Sequence, residues 1–148
     1  MLILASPHTS LLDGPALSWW LGQRGYRRVL FAVDPDYARH PLWRPLLQVY
    51  GWRHGHRMVA VDSRRPFGLR RLLEAHRFGW SLAVFPQGTG IGDPGRPWQP
   101  GADWLVRRLC VEHRDLPVVS VEMAHDRFWP RCVFSEKVGS MVLGVRRA

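Results

Sequence analysis

Five largely apolar runs recur along this chain: "LILA" at 2–5, "RVLFAV" at 28–33, "MVAV" at 58–61, "SLAVF" at 81–85 and "PVVSVEM" at 117–123. A strand with one wet face alternates, whereas a strand that is apolar throughout is covered on both faces. Helical signals separate the runs. Asp13-Gly14-Pro15 opens a helix through about Leu21, with Asp13 available as N-cap and proline in the first turn. A short helix interrupted by Pro45 is expected over 41–49, an arginine-rich helix over 66–78 and another over 101–113. Asp34 and Asp36, flanking Pro35, read as turn formers. Strands alternating with helices predict an α/β fold: a single layered domain over 1–148 with a mostly parallel central sheet flanked by helices. Two last apolar segments, 131–134 and 141–145, read as hairpin or edge strands.

Ligands of such sheets sit beyond the carboxyl ends of the strands, so the loops at those ends matter most. The first, "SPHTSLLDG" at 6–14, holds His8 five residues before Asp13. An imidazole takes a proton from a hydroxyl near neutral pH when a carboxylate fixes its tautomer and stabilises the imidazolium. Of the seven histidines, only His8 has an aspartate at this spacing. The plainer readings are a loop histidine and a helix N-cap. The second loop, "FPQGTGIGDPG" at 85–95, follows the fourth apolar run and is bare of bulky side chains after Pro86. It is either a surface turn or a loop that brings backbone N–H groups up to a ligand, as glycine permits. Gly88 and Thr89 would then offer backbone and hydroxyl donors.

No G-x-S-x-G elbow or suitably placed cysteine offers a nucleophile, although Ser10 beside His8 leaves a Ser–His hydrolase open as an alternative. Cys110 and Cys132 lack a metal-type spacing and fit a reducing compartment. His54-Gly55-His56 has no acidic or thiol partner nearby, so no metal site is expected. The formal net charge is +9, with twenty arginines against one lysine, Lys137. That points to an anionic partner: a phosphorylated small molecule, an anionic membrane surface or nucleic acid. Trp19, Trp20, Trp43 and Trp52 lie among Arg24, Arg27, Arg28, Arg39, Arg44 and Arg53, a mixture suited to a membrane interface and also to single-stranded nucleic acid. Arg70, Arg71, Arg77, Arg107 and Arg108 read as solvated helix faces that would also suit an acidic carrier. No run reaches the roughly twenty apolar residues of a membrane span, and the amino terminus lacks the basic region of a signal peptide.

Taken together, "HTSLLD" and "FPQGTG" resemble the H-x-x-x-x-D and F-P-E-G-T-R motifs of the glycerolipid acyltransferase family. "GWRHGHRMVAVDSRR", "WQPGADWLVRRL" and "LPVVSVEMA" stand in the places of further family segments, so the resemblance covers roughly residues 2–125. It implies that His8 is the general base for an acceptor hydroxyl attacking a thioester, that Asp13 orients it, and that no acyl-enzyme forms. The donor would be acyl-CoA or acyl carrier protein, with no further cofactor. The acceptor would be a lysophospholipid or a related hydroxyl, with an amine as the variant case. The enzyme would be cytoplasmic, peripheral at the inner face of the membrane, with nucleic acid not expected as a partner. The resemblance departs at three places: Gln87 replaces a glutamate, Gly90 an arginine, and the second-motif arginine falls on Ser63, beside Arg64. Gln87, Gly88, Thr89, Arg64, Arg65 and Arg96 are therefore the expected substrate-binding residues, and the departures imply either an acceptor that differs from the family's or a lowered activity. The competing class is a lipid- or nucleic-acid-binding module that kept the fold without the chemistry.

Overall fold

The five apolar runs pair into one sheet. In the computed structural model, which describes residues 1–41, 43–62, 66–88, 93–124 and 137–139, they become β1 (Leu2–Ser6), β2 (Val29–Val33), β3 (Arg57–Ala60), β4 (Ser81–Val84) and β5 (Val118–Glu122). All five run parallel, and a short β6 (Lys137–Gly139) lies antiparallel beside β5, giving the order β3-β2-β4-β1-β5-β6. The α/β fold with a mostly parallel sheet is thus the observed one. The strands expected over 131–134 and 141–145 lie outside the described residues, and β6 falls between them.

The connecting helices are α1 (Asp13–Gln23), α2 (Pro35–Arg39), α3 (Trp43–His54), α4 (Pro66–Arg77) and α5 (Pro100–Glu112). Two local expectations are corrected. Asp34-Pro35-Asp36 starts a helix instead of a plain turn: Asp34 Oδ1 accepts from the Asp36 N–H at 2.9 Å and the Asp34 carbonyl from Ala38 at 3.0 Å, and proline suits the first helical position. Pro45 does not interrupt α3, because it stands in the first turn, where its missing N–H removes no intrahelical bond. The helix then runs on to His54. Gly55, at φ +69°, ends it, and the His56 N–H donates back to the Gly51 carbonyl at 2.7 Å.

Topology places the helices. From β1 the chain moves through α1 to β2 and then through α3 to β3, always toward one edge of the sheet. From β3 it returns through α4 to β4, then passes over β1 through α5 to β5. Right-handed crossovers in opposite directions put their helices on opposite faces. Packing agrees: Ile3 and Ala5 of β1 meet Leu17 and Leu21 of α1, while Leu2 and Leu4 meet Leu72 of α4 and Leu105 and Leu109 of α5. Each buried side chain of this size stabilises the fold by about 1.5–3 kcal/mol.

On the first face α1 packs against α3, and Gly22 lies against the His54 ring. A Cβ built there would lie 2.2 Å from His54 Nδ1 and 2.4 Å from its Cγ. Gly→Ala inside a helix ordinarily stabilises by about 0.5–1 kcal/mol; here the clash with a buried ring reverses the sign. Gly22→Ala is expected to lower unfolding free energy by about 1–3 kcal/mol in chemical denaturation, and the same change in a His54→Ala background is expected to raise it.

Candidate active site

In a doubly wound sheet, a crevice opens where neighbouring strands send their connections to opposite faces. β1 and β4 are such neighbours: α1 leaves one face and α5 the other. The two loops singled out in the sequence leave these two strands, so they meet at the switch point.

In the first loop the Asp13 side chain is fully buried, and its Oδ2 accepts from the His8 ring at Nδ1 and from the N–H groups of Thr9 and Ser10, each at 2.9 Å. Asp13 is therefore not the N-cap. It is the first residue of α1, no side chain caps the helix, and its carboxylate turns back into the loop, where the positive end of the helix also favours it. A carboxylate only accepts, so His8 Nδ1 carries the proton and Nε2 keeps its lone pair. The His8 ring lies against Phe85 at 4.3 Å between centroids, tilted by 28°, and its side chain is 14% exposed. Ser10, the nucleophile a hydrolase would need, instead stabilises the turn by accepting from the Leu12 N–H at 3.2 Å.

The second loop begins with a turn in which the Gly88 N–H donates to the Phe85 carbonyl at 3.0 Å. Gly88 takes φ +70° and a Cβ there would lie 3.0 Å from Gln99 Cγ, which is why glycine stands at this place. Its N–H is thus used within the turn and is not held out to a ligand, contrary to expectation. Gln87 is also different from expectation. It is 7% exposed; its Nε2 donates to the carbonyls of Pro94 at 2.8 Å and Arg96 at 2.9 Å, and its Oε1 accepts from the His8 N–H at 3.0 Å. The amide's donors and its oxygen are thus engaged within the protein, and Gln87 is not among the residues lining the cavity beneath His8. It braces the two loops against each other, one bond spanning 79 residues. Two donors and one acceptor on these partners require an amide, and a carboxylate would face two carbonyl oxygens. That geometry accounts for glutamine at the place where the resembling motif has glutamate.

Below His8 lies a cavity of about 290 Å³ that also takes in Gly88 and Arg96. Its walls are largely apolar: Phe31 and Val33 of β2, Met58 of β3, Leu72 of α4, Val84 of β4 and Leu105 of α5. The cavity reaches both faces of the sheet around its carboxyl edge, since Phe31 belongs to the α1 side and Leu72 and Leu105 to the other. Of the expected substrate-binding residues, Gly88 and half-buried Arg96 line the cavity together with the expected catalytic His8; Arg64, Arg65 and Thr89 lie outside the described residues. Phe85, which seats the His8 ring, was read in the sequence only as the end of a strand.

His54 and His56 are both buried, with rings 5.8 Å apart. His56 Nε2 faces the Tyr26 carbonyl at 3.0 Å and Nδ1 faces Ser18 Oγ at 2.8 Å, and burial pushes its pKa below the usual histidine value. Among the described residues, no three His, Cys, Asp or Glu side chains gather as a metal site. No helix there is long and apolar enough to cross a membrane.

Fold and site together define an α/β protein with an aspartate-held histidine at the mouth of an apolar cavity. A family model, described as Acyltransferase, matches residues 1–124, and the chain belongs to that family, the glycerolipid acyltransferase family its loops resemble. No curated protein and no solved structure gives a significant match. Membership makes acyl transfer the general activity and implies an acyl donor and an acceptor as substrates.

Gln87→Glu tests the brace. A carboxylate facing two carbonyls has its folded pKa raised above the unfolded value near 4.3. Protonated, the variant supplies one donor for the two carbonyls and stays less stable than the wild type. It is expected to come closest to the wild type at a pH below about 4, and to lose a further ~1–3 kcal/mol as pH rises through the raised value. Denaturation midpoints across a pH series check this.

Proposed function

We propose that the protein moves a fatty acyl group from a thioester, acyl-CoA or acyl carrier protein, directly to a hydroxyl of a lysophospholipid-like acceptor. His8 Nε2 takes the proton of the acceptor hydroxyl as its oxygen attacks the thioester carbonyl. The tetrahedral intermediate collapses with loss of thiolate, and the imidazolium returns the proton to that sulfur. Asp13 holds the ring and stabilises its charged form. The acyl chain lies in the apolar cavity, whose burial of methylene groups supplies binding energy away from the reacting atoms. Arg96, which lines the cavity, would meet an anionic head group, and Arg64 and Arg65 are the further candidates for that role.

The observation that carries this reading is a single one: a ring held by a fully buried carboxylate stands at an apolar cavity. Arrival from a membrane fits the outer surface of α1 and α3. Trp19 and Trp52 are 54% and 87% exposed there, and the Arg24 guanidinium lies 4.4 Å over the Trp20 ring. Aromatic and cationic groups together suit an anionic bilayer such as the inner face of a membrane.

His8→Ala is expected to lower kcat by about 10²–10⁴-fold, and Asp13→Asn to lower it as well, with unchanged circular dichroism. The assay follows labelled acyl-CoA and acyl carrier protein with a panel of lysophospholipids and amino-lipids. Undiminished turnover in His8→Ala would remove His8 from the mechanism. Binding by the wild type without transfer, across both donors, would identify a non-catalytic lipid-binding module.

A further inference from the structure

The cavity wall contains a buried polar pair that acyl transfer at His8 does not use. Ser18 of α1 and His56, just before β3, both line it and are 6% and 4% exposed. Their protons can be assigned. The Tyr26 carbonyl can only accept, so His56 Nε2 carries the hydrogen; the neutral ring then has its lone pair at Nδ1, and the Ser18 hydroxyl donates to it across 2.8 Å. Burial, which disfavours the charged ring, keeps this arrangement in place. With its one hydrogen engaged, Ser18 Oγ is left as an acceptor, and among the described residues no donor reaches it.

Ser18 stands one helical turn after Gly14, on the face of α1 that lines the cavity, and about 7.5 Å along the axis from Asp13. The lining also includes Asp34, Arg57, Arg96 and Gln99; among its largely apolar residues on the α1 side, Ser18 Oγ is a buried oxygen that can accept. We propose that Ser18, set by His56, selects acyl chains that carry a hydroxyl group, whose O–H donates to Ser18 Oγ. This rests on the cavity being the acyl-chain site. A plain methylene chain leaves that oxygen unbonded, whereas a hydroxylated chain satisfies it and its own hydrogen in a dry environment. The difference corresponds to about three- to tenfold.

Two readouts test this. The first is the ratio of kcat/KM for β-hydroxymyristoyl-CoA to that for myristoyl-CoA, with α- and ω-hydroxylated chains alongside. The wild type should favour one hydroxylated isomer by about three- to tenfold; Ser18→Ala should bring the ratio to one, and Ser18→Thr, which keeps the hydroxyl, should preserve it. Equal use of all chains by the wild type, or a preference that survives Ser18→Ala, would overturn the proposal. The second is direct binding of the free fatty acids by titration calorimetry, which needs no turnover. Preferential binding of a hydroxy acid without transfer would sink acyl transfer and leave the selectivity standing; transfer without that preference would do the reverse.

Discussion

The site depends on one buried charge. Asp13 has no exposed surface, and an ionised carboxylate taken out of water costs several kcal/mol unless donors replace its hydration. Two backbone N–H groups, the His8 ring and the first turn of α1 surround it. The consequence runs outward from the charge: residues 8–10 must wrap around one oxygen, which fixes the path of the loop. The same requirement turns Nδ1 of His8 inward and leaves the lone pair on Nε2. The aspartate thereby shapes the loop, holds the ring and selects the tautomer through one set of bonds.

The loop is held from the other side by Gln87. Its amide joins the His8 backbone to the carbonyls of Pro94 and Arg96, and Gln99 ties in again by donating from its own backbone to the Pro86 carbonyl at 2.8 Å. Loops after β1 and β4 diverge toward opposite faces, so nothing in the sheet itself keeps them in register. A neutral amide does so without adding a second buried charge beside Asp13.

Much of this was legible in the sequence for a physical reason. Strands buried on both faces are apolar throughout, so 2–5 or 81–85 can be recognised without knowing their neighbours. A histidine five residues from an aspartate is likewise local, and the loop that joins them is short. The role of Gln87 was not legible, because its partners come from both loops and residue type alone does not distinguish a brace from a ligand-binding amide. Ser18 was hidden among the apolar residues of "PALSWWL", and its partner is 38 residues away. His56 was visible as half of an H-x-H pair, but only the fold shows that both its nitrogens are engaged. Asp34 was misread because the same Asp-Pro pair serves a turn and a helix start.

Charge is divided between surface and interior in a way that bears on the chemistry. Several arginines are held by exposed ion pairs: Arg77 and Arg108 on Glu112, Arg107 on Asp103. Such pairs contribute about 0–1 kcal/mol each, so the excess positive charge is not there to stabilise the fold and remains available to an anionic partner. The interior follows the opposite rule. Among the described residues no buried side-chain nitrogen or oxygen lacks a partner, and the polar groups at the carboxyl edge are bonded between segments: Asp13 to the loop before its helix, Gln87 across the two loops, Ser18 to His56. An apolar sheet interior admits a polar group only where another segment meets it. Each polar group admitted there is consequently fixed in position, which is what the proposed proton transfer at His8 requires.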